Sequence, residues 1–200
     1  MPSFASAAIF ILIYLVTITV HEFSHGCVAY FFGDRTAKER GRLSLNPFRH
    51  VDPLWTLLLP MVLLAVGLPA IGMARPVPVN FSRLRSPKSD MIWVALAGPF
   101  ANIILAFLLA VAYRQIGSEI FLMGVYFNLG LAIFNLVPIP PLDGSRVLMG
   151  LLPVTWAYGY AKMEKFGFLV ILLLVWMRVI WHVVVPGINF FCHLWRLPAL

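Results

Sequence analysis

The chain has 200 residues, 61% hydrophobic and only 12% charged, with a formal charge of +7. Soluble domains carry roughly 45–50% apolar and about 25% charged residues, so a soluble globule, a disordered chain, a coiled coil, a disulfide scaffold and a nucleic-acid-binding domain are set aside. The mean hydropathy of +0.90 points to lipid as the solvent for side chains that no core would hold.

In chain order, the first apolar run goes from Phe4 to Val20 and continues to Phe32. Residues 1–6 contain no Lys or Arg, so the basic n-region of a signal peptide is missing, and an uncleaved span over 4–32 is predicted. A basic stretch follows at 34–52, with Arg35, Lys38, Arg40, Arg42 and Arg49. The run 54–73 is broken by Pro60, Gly67, Pro69 and Gly72. A second basic stretch, 74–90, holds Arg75, Arg83, Arg85 and Lys88. Spans are predicted at 90–113 and 118–137. A third basic stretch, 138–165, precedes a C-terminal span at 166–185. Each of these runs is close to the ~20 residues that a bilayer helix needs. Cys27 and Cys192 give no disulfide framework and read as buried thiols.

The charges speak to topology. Lys and Arg gather in cytoplasmic loops. If 54–73 crossed the bilayer, the two most basic stretches would lie on opposite faces. If it dips in and returns, twelve basic residues share one face, against Arg114 and Arg196 on the other. The Pro and Gly breaks suit a re-entrant or interfacial segment, because irregular backbone at that depth must be covered by protein or line a watery cavity.

The chemistry begins inside the first span. His21-Glu22-Phe23-Ser24-His25 reads H-E-x-x-H. Residues i and i+4 share a helix face, so both imidazoles can reach one zinc ion. The carboxylate beside the first His can take a proton from water at the metal. Five His and four Glu give about 0.0025 chance matches in random order, the false-positive risk that any motif carries. Ionisable residues within a span are costly and mark function.

Catalytic zinc takes three protein ligands and keeps one open position. Asp143, in an apolar stretch and followed by Gly144, is either the third ligand or a helix-capping or turn aspartate. With Asp143 read as the ligand, parity tests the span count. Asp143 follows the 118–137 run, so it shares a membrane face with the end of the first span only if an even number of crossings separates them. That again requires 54–73 not to cross.

These motifs carry a resemblance. H-E-F-S-H at 21–25, G-P-F-A-N at 98–102 and N-L-V-P-I-P-P-L-D-G at 135–144 resemble the site-2 protease family of intramembrane zinc metalloproteases. Gly33-Asp34, the run Gly41 to Pro47 and Pro76-Val77-Pro78-Val79-Asn80 are similar to its compact, mostly prokaryotic branch. Residues 15–150 carry most of the likeness.

The resemblance implies an all-α polytopic membrane protein, with residues 1–200 forming one protease domain. Its three-helix catalytic core would be 4–32, 90–113 and 118–137. A re-entrant segment and a small β-strand element would lie between the first two core helices, and a C-terminal span would follow. It implies one Zn2+ per chain on His21, His25 and Asp143, with Glu22 as general base. It also implies Asn102 and Asn135 as groups that orient substrate or stabilise an oxyanion, or else hydrogen-bond helix to helix. Pro141 would shape the substrate groove or simply punctuate the chain. No inserted PDZ domain and no nucleotide-sensing domain is expected.

The expected activity is hydrolysis of peptide bonds in or near transmembrane segments of protein or peptide substrates, in an integral cell membrane of prokaryotic inner or plasma type, with the active site toward the cytoplasm. A helical substrate must unwind to expose its carbonyls. An edge built from 42–46 and 76–80 would hold it extended by β-augmentation, unless those stretches are surface turns. The lipid bilayer is an expected partner and nucleic acid is not. The alternatives are a metal-ion transporter, against which the lack of internal symmetry counts, and a catalytically silent scaffold, against which the intact Glu22 counts.

Overall fold

The computed structural model describes residues 4–58, 61–62 and 75–200. Helix α1 runs from Phe4 to Phe31, about 42 Å at 1.5 Å per residue. A short α2, Thr36–Glu39, follows. Then come a 3-10 turn at Pro47–Arg49, a π-helical turn at Pro53–Leu58 and a second 3-10 turn at Phe81–Arg83. Helix α3, Pro87–Ile116, has Pro87 in its first turn, where a missing N–H costs nothing. The Asp90 carboxylate there accepts the Ser86 N–H at 2.7 Å. It stops at Gly117, whose φ of +73 is the left-handed cap that favours glycine. Helix α4 spans Glu119–Leu136.

α1, α3 and α4 are each long and apolar enough to cross a membrane. α3 packs against both α1 and α4. The Phe32 carbonyl at the end of α1 accepts the Arg85 N–H just before α3 begins, at 3.0 Å. The polypeptide between α1 and α3 therefore leaves and returns at one end of the bundle.

Four helices complete the chain: α5 (Asp143–Leu151), α6 (Val154–Ala161), α7 (Glu164–Trp176) and α8 (Trp181–Leu194). The main apolar core joins Ala106 and Ala110 of α3 and Leu122, Val125 and Leu129 of α4 to Ile171 and Val175 of α7 and Val184, Ile188 and Cys192 of α8. Small residues at such a seam let helix backbones approach closely. Both cysteines are free.

One expectation needs correction. No strand forms among the described residues at 42–46 or 76–80. The reason is chemical. Pro76 and Pro78 have no N–H to give a ladder. The N–H groups of Val77 and Asn80 go instead to the carboxylates of Glu22 and Asp34, at 2.7 and 2.6 Å. The C-terminal span expected over 166–185 falls on two helices, α7 and α8, bent by 74° at their break, and together they are long and apolar enough to form one span. Arg178 sits at the break with φ of 60. The re-entrant reading of 54–73 falls mostly outside the described residues; within them, 53–58 forms the π-helical turn.

Candidate metal centre

His21 and His25 lie one turn apart on α1. His21 is ten residues before the end of that helix, about 15 Å along its axis. Their side chains turn toward α3 and the start of α5. The two Nε2 atoms are 3.1 Å apart. Asp143 Oδ2 lies 3.1 Å from the His21 Nε2 and 3.3 Å from the His25 Nε2. The three residues each offer a ligand atom, and all three atoms fall within 4.8 Å of one another. Both histidines are buried and Asp143 is half-buried.

The remaining ring nitrogens are committed. His21 Nδ1–H donates to Asn102 Oδ1 at 2.8 Å, and His25 Nδ1–H donates to the Val94 carbonyl at 2.7 Å. Each bond fixes the tautomer that leaves Nε2 as the free lone pair, the usual second layer around a metal-binding imidazole. Asn102 is itself held, its Nδ2 donating to Asn128 Oδ1 at 2.9 Å and to the Thr17 carbonyl at 3.4 Å. Asn102 is fully buried, behind the imidazoles and away from the cavity. Burial pushes the Asp143 carboxyl up, but the His25 and His21 imidazoles outweigh it and hold the group well below the usual carboxylate range.

The donor set fits zinc. Two imidazole nitrogens and one carboxylate oxygen are the ligands of a catalytic zinc site, which leaves a fourth position open. The cradle fits as well. A Cβ added at Gly98 would stand 2.7 Å from the His21 Nε2 and closer still to the His25 Nε2. Only glycine lets α3 pass this close to the ligands. A Cβ at Gly144 would collide with the Leu136 carbonyl, so glycine after Asp143 lets α5 start hard against the end of α4.

A cavity of about 410 Å³ opens beside this cluster, with Glu22, Asn135 and Pro141 on its wall together with Val77 and Val79. Glu22 Oε2 accepts the Val77 N–H at 2.7 Å. Asn135 donates to the Leu131 carbonyl at 3.0 Å. Sequence reading missed three contributors. Gly98 sits within a quoted motif but was given no role. Val77 was read only as a strand residue. Tyr14 lines the cavity, and its buried hydroxyl has no hydrogen-bond partner. Tyr14, Ile18, His21 and His25 follow the i, i+4, i+7, i+11 spacing of one helix face, a signal that was available.

Comparison with known proteins now bears on this geometry. The model of the peptidase family M50 matches residues 112–177, a stretch that includes Asp143. YwhC of Bacillus subtilis, which bears the name of a zinc metalloprotease, is 39% identical over 189 residues, covering 88% of this chain and 83% of YwhC. Two proteins called Rip2 carry the same description. The one from Mycobacterium tuberculosis is 34% identical over 85% of this chain and 68% of its own. The one from Mycolicibacterium smegmatis is 32% identical over 84% and 67%.

The chain belongs to peptidase family M50.

That is the site-2 protease family to which the motifs pointed. No solved structure matches the chain.

Proposed function

We propose that the chain is an intramembrane zinc metalloprotease in which His21, His25 and Asp143 hold one zinc ion and Glu22 is the general base. It cuts peptide bonds in or near the transmembrane segments of other membrane proteins. The observation that carries the reading is the convergence of two Nε2 atoms and one carboxylate oxygen, from residues 122 apart in sequence, beside a cavity that also holds Glu22.

Zinc at this position supplies Lewis acidity, bringing water toward a pKa near 7 and polarising a peptide carbonyl. The protein does the rest. Glu22 takes a proton from the attacking water and delivers it to the leaving amine. The Val77 N–H steadies Glu22 Oε2 and so sets the direction of its other oxygen. Asn102 and the Val94 carbonyl keep the imidazoles in one orientation. Asn135, Pro141 and Tyr14 line the cavity and position the substrate backbone. Apolar walls from Phe134, Phe168 and Leu172 accept the side chains of an unwound transmembrane segment and limit water to the polar end.

The active site opens toward the cytoplasmic face of a cell membrane, the face at which α1 ends and α3 begins. The charge distribution and the contact between Phe32 and Arg85 support this. Residues 1–200 act as one protease domain.

Metal analysis of the purified wild type, Asp143→Ala and Glu22→Gln, with cleavage of a model transmembrane substrate, tests the assignment. Asp143→Ala loses zinc and activity; Glu22→Gln keeps zinc and loses activity. Full zinc and activity in Asp143→Ala overturn the ligand set. A Glu22→Gln variant that still carries metal across a bilayer, from a parent that never cuts, favours the transporter instead. Opposite-side labelling of single cysteines placed at 40 and 84 refutes the topology.

A further inference from the structure

A second cavity, of about 430 Å³, lies in the segment between α1 and α3 and is lined by Arg40, Arg42, Arg49 and Arg75 together with Phe48 and Pro76. None of the described residues on its wall is acidic. Loop arginines on this face follow from membrane topology, but topology does not explain why four guanidiniums converge on one cavity.

Two of them are held in place by backbone. Arg42 Nη2 donates to the Arg75 carbonyl at 2.7 Å and to the Pro76 carbonyl at 3.4 Å. Arg49 Nη1 donates to the Gly41 carbonyl at 2.8 Å. Carbonyls orient these groups without neutralising them. The Arg42 Nε is buried and has no hydrogen-bond partner. Burial, then the charges of Arg75 and Arg49, pull the Arg42 guanidinium below its ordinary value, and Glu22 opposes them. A pre-oriented cluster of like charges with an unspent buried donor is short of an anion. Planar guanidinium forks match phosphate oxygens in pairs.

We propose that Arg40, Arg42, Arg49 and Arg75 form a phosphate-binding site, filled by the phosphate of an anionic lipid headgroup or by free phosphate. Phe48, exposed at the rim, offers an apolar surface beside the charges. The site adjoins the catalytic machinery through one peptide unit. The Pro76 carbonyl accepts from Arg42, while the next N–H, that of Val77, donates to Glu22. A bound phosphate draws on the same Arg42 guanidinium, so its occupancy is transmitted to the bond that steadies Glu22.

The test reads binding, not cleavage, and so stands apart from the protease assignment. Full-length protein in detergent is titrated with inorganic phosphate, against sodium chloride at equal ionic strength, with thermal unfolding as the readout. In parallel, protein is released from nanodiscs of phosphatidylcholine containing phosphatidylglycerol, and lipid retention is read by native mass spectrometry. The variants are Arg40→Gln/Arg49→Gln, Arg49→Lys and Lys88→Gln, the last a basic residue of the same face outside the cavity. Wild type shows a saturable rise in melting temperature with phosphate, or retains one anionic lipid. The double variant loses affinity by about tenfold or more, the scale of a charged hydrogen bond. Arg49→Lys falls between, and Lys88→Gln behaves as wild type. Lipid retention with little response to free phosphate identifies the headgroup as the source; the reverse identifies soluble phosphate. Equal losses in Lys88→Gln and the double variant overturn the site in favour of diffuse surface charge, as does no response in wild type. If the double variant is unfolded, Arg49→Lys decides: unchanged affinity there also overturns the proposal.

Discussion

The two polar clusters of this protein are built in opposite ways. Around the candidate metal, His21, His25, Asn102 and Asn128 sit on long helices, are buried, and are held by bonds of 2.7–2.9 Å from His21 to Asn102, from Asn102 to Asn128 and from His25 to the Val94 carbonyl. Around the arginine cavity, side chains from short turns lean on main-chain carbonyls, and one buried donor is unspent. Sites on helices hold geometry more tightly than sites on loops. The helical cluster therefore suits bond chemistry, whereas the loop cluster is suited to sensing its surroundings. The Pro76–Val77 peptide joins them.

The sharpest break of the helical cluster is loss of the proposed base. Glu22→Gln keeps the shape and the Val77 N–H contact but cannot take a proton. General acid–base catalysis contributes typically 10²- to 10⁴-fold, so kcat falls by about that factor while bound zinc, measured by elemental analysis, stays at one per chain. Loss of zinc together with activity would show that Glu22 is needed to assemble the site.

Gly98→Ala tests the cradle. The added methyl meets both imidazoles below contact distance, and both rings are pinned through Nδ1 to Asn102 and to the Val94 carbonyl. Zinc affinity falls by more than tenfold and cleavage with it, while circular dichroism keeps the helical signal. Asn102→Ala acts one step further out. It removes the acceptor that orients His21 and leaves Asn128 short of a partner. Loss of such an outer partner typically costs 10- to 100-fold in metal affinity or activity. Asn102→Asp restores an acceptor for Nδ1–H and recovers part of the affinity; a role in touching substrate would instead raise KM with zinc unchanged.

What could be read from sequence divides along the same line. His21 and His25 were legible because helical spacing alone places them on one face, and Glu22 because it stands beside them in the same motif. Asp143 needed a second argument, the third ligand that an H-E-x-x-H zinc site calls for. Gly98, Val77 and Tyr14 act through distances between elements, and no local pattern encodes how near α3 comes to an imidazole. The segment 76–80 misled because alternating valines also fit an extended loop, and its two prolines, which deny a ladder, were read as part of a family motif. The break near Arg178 was hidden because hydropathy measures apolar length and not direction, and the residues on either side are apolar alike.

The smallest expected effect lies at the rim of the cavity. Arg146 Nη2 on α5 donates to Glu164 Oε1 on α7 at 2.6 Å, and both residues line the cavity beside the candidate metal. Arg146 is 27% and Glu164 42% exposed, so solvent screens the pair, and such bridges are worth about 0.2–1 kcal/mol. Packing elsewhere keeps α7 seated: Ile171 and Val175 belong to the buried core, and a Cβ at Gly167 would run into the Pro140 carbonyl. Arg146→Gln therefore lowers stability by no more than about 1 kcal/mol. Its effect on cleavage falls on KM, because the pair shapes where a substrate enters and touches no ligand atom. A rise in KM of a few fold with kcat unchanged keeps bond chemistry with the helical cluster. A loss confined to kcat would mean that Arg146 reaches the reacting peptide, and the division between the rigid centre and its rim would have to be redrawn.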